Sequence, residues 1–263
     1  MPKYIDIHCH LDSRFFKDNL SEVIERMVEK EISAITIGVD YETSKETIVM
    51  AERYDFIWAG VGLHPADNDK EIFDFDKYLE LAKNLRVVCI GECGLDYFRE
   101  EDEERKNKQK EIFKKHIEIA VTINKPLMMH IRPSKGSMDA YTEALSILEE
   151  YKNKNGEKLR GNFHFFVGDI AIAQKALEIG FTMSFDGPIT FSHDYDELIK
   201  FLPLNSIMAE TDAPFAAPAP YRGKTCEPFM VAEIVKKIAE IKNLPEEEVA
   251  QAIISNAKRV FGI

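Results

Sequence analysis

The feature that most constrains this chain is an alternation. Eight short apolar runs, rich in β-branched and aromatic residues, take turns with stretches patterned at helical spacing. The runs are Tyr4–His10, Ala34–Asp40, Ile57–Leu63, Val87–Gly91, Pro126–Ile131, Asn162–Phe166, Thr182–Asp186 and Ile207–Thr211. Between the first two, Leu20, Val23, Ile24, Met27 and Val28 fall on one helical face, with Asn19 and Glu22 spaced as a capping box. Late in the chain Val231, Ile234, Val235, Ile238 and Ile241 repeat the pattern, and a last helix is expected after Pro245 and its three following glutamates. Strand then helix, eight times over, requires parallel strands joined by helical crossovers. An open doubly wound sheet and a closed barrel both meet that requirement. No GxGxxG or GxxxxGK[ST] follows any run, so a (β/α)8 TIM barrel is the expected fold. The 263 residues suit one such barrel, and no linker or fixed-period repeat divides them, so residues 1–263 are read as a single domain.

Charge and cysteines narrow the class. With 34 Lys+Arg against 46 Asp+Glu the net charge is −12, which argues against coating long duplex DNA or docking on anionic lipid. No apolar run reaches the ~18 residues of a membrane span, and the start of the chain has no signal-peptide pattern. The expectation is a cytoplasmic, monomeric protein without a membrane partner. Cys9, Cys89, Cys93 and Cys226 form no CxxC pair and are read as plain thiols.

Chemistry-bearing residues collect at the ends of the runs. His8 and His10 close the first run, and strand alternation points both imidazoles to one face, with Cα atoms roughly 6–7 Å apart. Glu92 follows the fourth run, His130 ends the fifth, His164 lies in the sixth and Asp212 follows the eighth. In an α/β barrel these ends converge on one mouth. Six metal-competent side chains exceed what one tetrahedral ion needs, so the economical reading is two divalent ions with Glu92 bridging them. The donor set suits Zn²⁺, Mn²⁺ or Fe²⁺.

These residues, in this order, resemble the TatD-type metal-dependent hydrolases of the amidohydrolase superfamily. The resemblance is carried by His8-x-His10, Gly91-Glu92-Cys93-Gly94-Leu95-Asp96-Tyr97, His130-Ile131-Arg132, His164, Glu210-Thr211-Asp212-Ala213-Pro214 and the late segment Arg222-Gly223-Lys224 with Glu227-Pro228. It implies a (β/α)8 barrel, divalent metals (Mg²⁺ now among them) and phosphodiester hydrolysis, as in the family's deoxyribonucleases. It also implies that His8, His10 and Asp212 hold one ion and His130 and His164 the other, with Glu92 between. The chain departs from the family pattern in Phe165-Phe166-Val167-Gly168, in Pro133-Ser134-Lys135-Gly136, and in His116, where the family usually carries Gln.

The expected reaction is cleavage of DNA ends or short single strands by an activated water, which Asp212 orients and deprotonates. Arg132, Arg222 and Lys224, on mouth loops, are candidates to hold phosphate oxygens. His64 is a candidate hydrogen-bonding partner of the substrate, and Tyr97 and Phe98 are candidates to stack on a base. His116 and His193 read as structural, and the Arg99–Lys110 run, acidic first and basic later, as a solvated helix. Ester or amide hydrolysis, such as deacylation of aminoacyl-tRNA, stays open as the alternative; the basic trio favours a phosphate-bearing substrate.

Overall fold

All eight expected strands form, and they pair in parallel in chain order. The computed structural model describes residues 2–67 and 70–263, without the side chain of Ser13. The strands are β1 (Tyr4–Cys9), β2 (Ile32–Ile37), β3 (Ile57–Val61), β4 (Val87–Asp96), β5 (Leu127–Arg132), β6 (Gly161–His164), β7 (Thr182–Phe185) and β8 (Ile207–Ala209). Around them run α1 (Ser13–Phe16), α2 (Leu20–Glu29), α3 (Tyr41–Arg53), α4 (Phe75–Ala82), α5 (Glu103–Ile123), α6 (Asp139–Asn155), α7 (Ile170–Glu178), α8 (Asp196–Phe201), α9 (Val231–Lys242) and α10 (Glu246–Phe261). Helices on the outside and side chains on the inside leave the strands covered on both faces, and every residue of β1, β2, β6, β7 and β8 is buried.

The barrel closes where its two ends in sequence meet. The Asp212 amide donates to the His8 carbonyl at 3.0 Å, and the His10 amide to the Ala213 carbonyl at 2.7 Å. Buried Asp6 reinforces the seam: its Oδ1 accepts from the Thr211 and His8 amides at 3.0 and 3.2 Å. The seam therefore locks the end of β1, with His8 in it and His10 just past it, to the segment that carries Asp212.

Several local expectations are corrected. Most strands end a residue or more before the sequence suggests, but β4 runs five residues past Gly91. Gly91 marks a shift of register against β5, not a strand end. It has φ +151°, and a Cβ there would lie 2.1 Å from the Met128 carbonyl oxygen, so only glycine fits. Glu92 consequently sits inside a strand. Asn19 makes no capping hydrogen bond to α2; a capping box forms instead at α3, where the Thr43 amide donates to the Asp40 carboxylate at 2.7 Å. The Arg99–Lys110 run divides at Asp102, the N-cap of α5, with Glu100 and Glu101 ahead of the helix and Glu103 and Glu104 in its first turn. The four cysteines are all buried and unbridged, as expected. Among the described residues no helix is long and apolar enough to cross a membrane.

Candidate metal centre

The mouth brings the six expected side chains into two groups. His8 Nε2 and His10 Nε2 lie 3.2 Å apart, with Asp212 Oδ1 at 3.6 and 3.4 Å from them. His130 Nδ1 and His164 Nε2 also lie 3.2 Å apart, with Glu92 Oε1 at 2.9 and 3.0 Å. The second oxygen of Glu92 turns the other way, 3.5 Å from His8 Nε2 and 3.6 Å from His10 Nε2. The His8 and His164 rings stack between the groups, 3.8 Å apart and 7° from parallel.

The far side of each ring fixes what its near side offers. His10 Nδ1 donates to the Ile37 carbonyl at 2.9 Å, His164 Nδ1 to Glu210 Oε1 at 3.1 Å, and His130 Nε2 to Asp96 Oδ2 at 3.1 Å. A neutral imidazole that donates from one nitrogen presents a lone pair at the other. Three lone pairs thus face ionised carboxylates at the centre of the mouth, an arrangement that repels itself unless a proton or cation intervenes. His8 Nδ1 is buried with no hydrogen-bond partner among the described residues. The donor set, its geometry and its outer partners fit divalent cations.

The electrostatics agree. Burial opposes charge on every group here, yet the surrounding imidazoles hold the Glu92 carboxyl well below the usual carboxylate range. Burial also raises Asp212, and the His10 hydrogen bond and His8 charge outweigh it, leaving the group below its ordinary value. Burial lowers His164, but Glu92 and Glu210 reverse the effect and push it well above 6.5. At His8 burial wins, helped by neighbouring His164, and the pKa falls.

The remaining candidates separate. His64 lies in the mouth, with Nε2 3.5 Å from Glu92 Oε1. Its Nδ1 accepts the Ala66 amide at 3.1 Å, so Nε2 carries the proton and the ring is a donor. Burial brings its pKa down to about 4. His64, Asp96 and His130 also cluster, but both Nε2 atoms carry protons and that of His130 is spent on Asp96, so the three do not form a third lone-pair set. Arg132 lines the cavity above the centre, about 530 Å³ in volume. Arg222 and Lys224 lie outside that lining: Arg222 covers the Phe191 ring at 4.0 Å, and Lys224 sits 5.9 Å from the Tyr221 ring centre. The late signature does anchor its loop, since Glu227 accepts from Arg26 of α2 at 2.6 and 3.0 Å. Tyr97 is a correction. Its side chain is buried and its hydroxyl donates to Glu143 at 3.0 Å, so no ring face is open to a base; neighbouring Phe98 is the exposed ring. His116 is buried and structural, as expected, while His193 is exposed and bonded to Asp196 at 2.9 Å.

Sequence reasoning passed over two residues of this site. Asp96 and Glu210 orient His130 and His164 from behind. Both stand in quoted motifs, and the signal was their position: Asp96 is four residues along the chain from Glu92, and Glu210 two before Asp212.

A parallel eight-stranded barrel with histidines and carboxylates converging at its mouth defines the class, a metal-dependent hydrolase. The sequence model of the family described as TatD related DNase matches residues 5–262. The chain is 37% identical over 262 residues to the uncharacterized metal-dependent hydrolase YabD of Bacillus subtilis (strain 168), covering 98% of each protein. It is 33% identical over 268 residues to the uncharacterized metal-dependent hydrolase YcfH of Escherichia coli (strain K12), covering 98% of this chain and 96% of that one. Among solved structures, YJJV, a TatD homologue from Escherichia coli K12, superposes with a TM-score of 0.87 at 24% identity, covering 99% of this chain and 98% of that one. The chain belongs to the TatD family of metal-dependent hydrolases.

Proposed function

We propose that this protein is a deoxyribonuclease that hydrolyses phosphodiester bonds at DNA ends or in short single strands, using two divalent ions. The observation that carries the reading is the division of Glu92: one oxygen faces His130 and His164 at 2.9 and 3.0 Å, the other His8 and His10 at 3.5 and 3.6 Å. His8, His10 and Asp212 would hold one ion, His130 and His164 the other, with Glu92 bridging. Such a pair of ions lowers the pKa of a water and polarises a phosphoryl oxygen.

The chain's own groups do the rest. Asp212, held ionised by its histidine neighbours, orients the attacking water and accepts its proton. His64 stays neutral at physiological pH and presents its Nε2 proton to a substrate oxygen. Arg132, on the cavity wall, takes a non-bridging phosphate oxygen, for which its planar fork is suited.

Metal analysis should find two ions per chain, and short 3′-ended DNA should be cleaved with Mg²⁺ or Mn²⁺. His8→Ala and Glu92→Ala are each expected to cut the rate by about 100-fold or more. Hydrolysis that persists in the double variant overturns the site assignment. Faster deacylation of aminoacyl-tRNA than cleavage of DNA, in the same substrate panel, overturns the nuclease reading and leaves the site intact.

A further inference from the structure

The cavity over the metal centre does not end at Arg132. A second groove of about 380 Å³ shares Asp96 and Arg132 with it and continues outward along the loop between β4 and α5. Among the described residues its wall carries Arg99, Arg105, Lys108 and Arg132 and two carboxylates, Asp96 and Glu100, a cationic excess in a chain whose net charge is −12. Both carboxylates are engaged: Asp96 with His130 and the Phe98 amide at 3.1 and 3.0 Å, Glu100 with Arg105 at 3.5 Å. Between the cations stands Phe98, 39% exposed, with the Arg132 guanidinium 4.0 Å over its ring and that of Arg99 at 6.0 Å. The groove is built, not improvised. The buried Gln109 amide of α5 accepts from the Asp96 amide at 2.8 Å and donates to the Asp96 carbonyl at 3.0 Å, pinning the end of β4 to the helix.

We infer that this groove is the subsite for the stretch of single-stranded DNA that adjoins the scissile phosphate. A single strand alternates flat rings with phosphate charges, and the groove offers the matching alternation: a base stacks on Phe98 and Arg132, and the next phosphates meet Arg99 and Lys108. The inference rests on the nuclease reading for the identity of the ligand. It makes the protein selective for chains over small phosphate esters, because a small ester fills the metal cavity and never reaches the groove.

Equilibrium binding tests it separately from turnover. Fluorescence anisotropy with a labelled ten-nucleotide oligothymidylate, on the metal-loaded full chain, should show at least fivefold weaker binding for Arg99→Ala/Lys108→Ala. The slope of log affinity against log salt should shrink by about one to one and a half. Phe98→Ala should weaken binding about fivefold or more without changing that slope. The rate on bis(4-nitrophenyl) phosphate should stay within twofold for the Arg99→Ala/Lys108→Ala variant. Unchanged oligonucleotide affinity and salt slope in that variant overturn the subsite. An unmodified protein that binds the oligonucleotide through these residues but cleaves no phosphodiester overturns the nuclease reading and keeps the subsite.

Discussion

Glu210 and His164 form a fixed pair behind the metal centre, with Glu210 Oε1 3.1 Å from His164 Nδ1. The same oxygen accepts the Phe165 amide at 2.6 Å, and the other meets the Ser184 hydroxyl at 2.5 Å. Glu210 is wholly buried, and His164 is the ring its carboxylate holds. It holds the Nδ1 proton in place and turns Nε2 toward Glu92.

Glu210→Gln should therefore weaken metal binding about 10- to 100-fold while the fold persists, since the amide keeps the shape and one acceptor oxygen. Metal retention during chelator titration, with excess Mn²⁺ as rescue, reads the effect. Retention equal to that of the unmodified chain would remove Glu210 from the centre.

His116 supplies a pH prediction. Its Nδ1 donates to the Ile112 carbonyl at 2.9 Å and its Nε2 accepts the Leu63 amide at 3.0 Å, so the neutral ring is required. Burial brings its pKa from 6.5 down to about 4. On acidification the unfolded chain takes the proton first. The neutral ring's contribution is present above pH 6.5 and is lost as pH falls toward about 4, a change on the order of 3 kcal/mol. His116→Gln keeps an acceptor for Leu63 without a titrating group, so urea unfolding between pH 7 and 5 should show a shallower loss of stability. His116→Leu should instead cost about 1–3 kcal/mol at neutral pH, because the Leu63 amide loses its partner.

Gly91→Ala tests the kink in β4. With φ at +151° and the Met128 carbonyl oxygen 2.1 Å from the added carbon, the variant should lose about 3 kcal/mol or more, or fail to fold. Gly136→Ala, at φ +74° with nothing within 4 Å of the added carbon, should cost only about 1–2 kcal/mol. Similar melting temperatures for the two variants would show that the clash at Gly91 relaxes.

The three basic candidates should separate in kinetics. Arg132→Ala is expected to raise KM for a phosphodiester by about tenfold or more, and Arg132→Lys to recover little of it. Arg222→Ala and Lys224→Ala should change it less than threefold, because neither lines the cavity. An effect of Arg222→Ala as large as that of Arg132→Ala would move the phosphate site toward the loop after β8.

The sequence by itself determined the architecture and the ligand types. Apolar runs and helical periodicity are local properties of the backbone, and alternation along the first run alone placed His8 and His10 on one face. Parallel order then carried the other ligands to the same mouth. Only the tertiary structure decided which atom faces which. Glu92 lies 72 positions from His164 in the chain, and the division of its two oxygens depends on four rings from three separate stretches of the chain meeting it at once. The same kind of long-range packing buries Tyr97 against Glu143, leaves Phe98 exposed, and sets Arg222 over Phe191 outside the cavity. Periodicity fixes the direction in which a side chain leaves the backbone, but what it touches is set by residues distant in sequence.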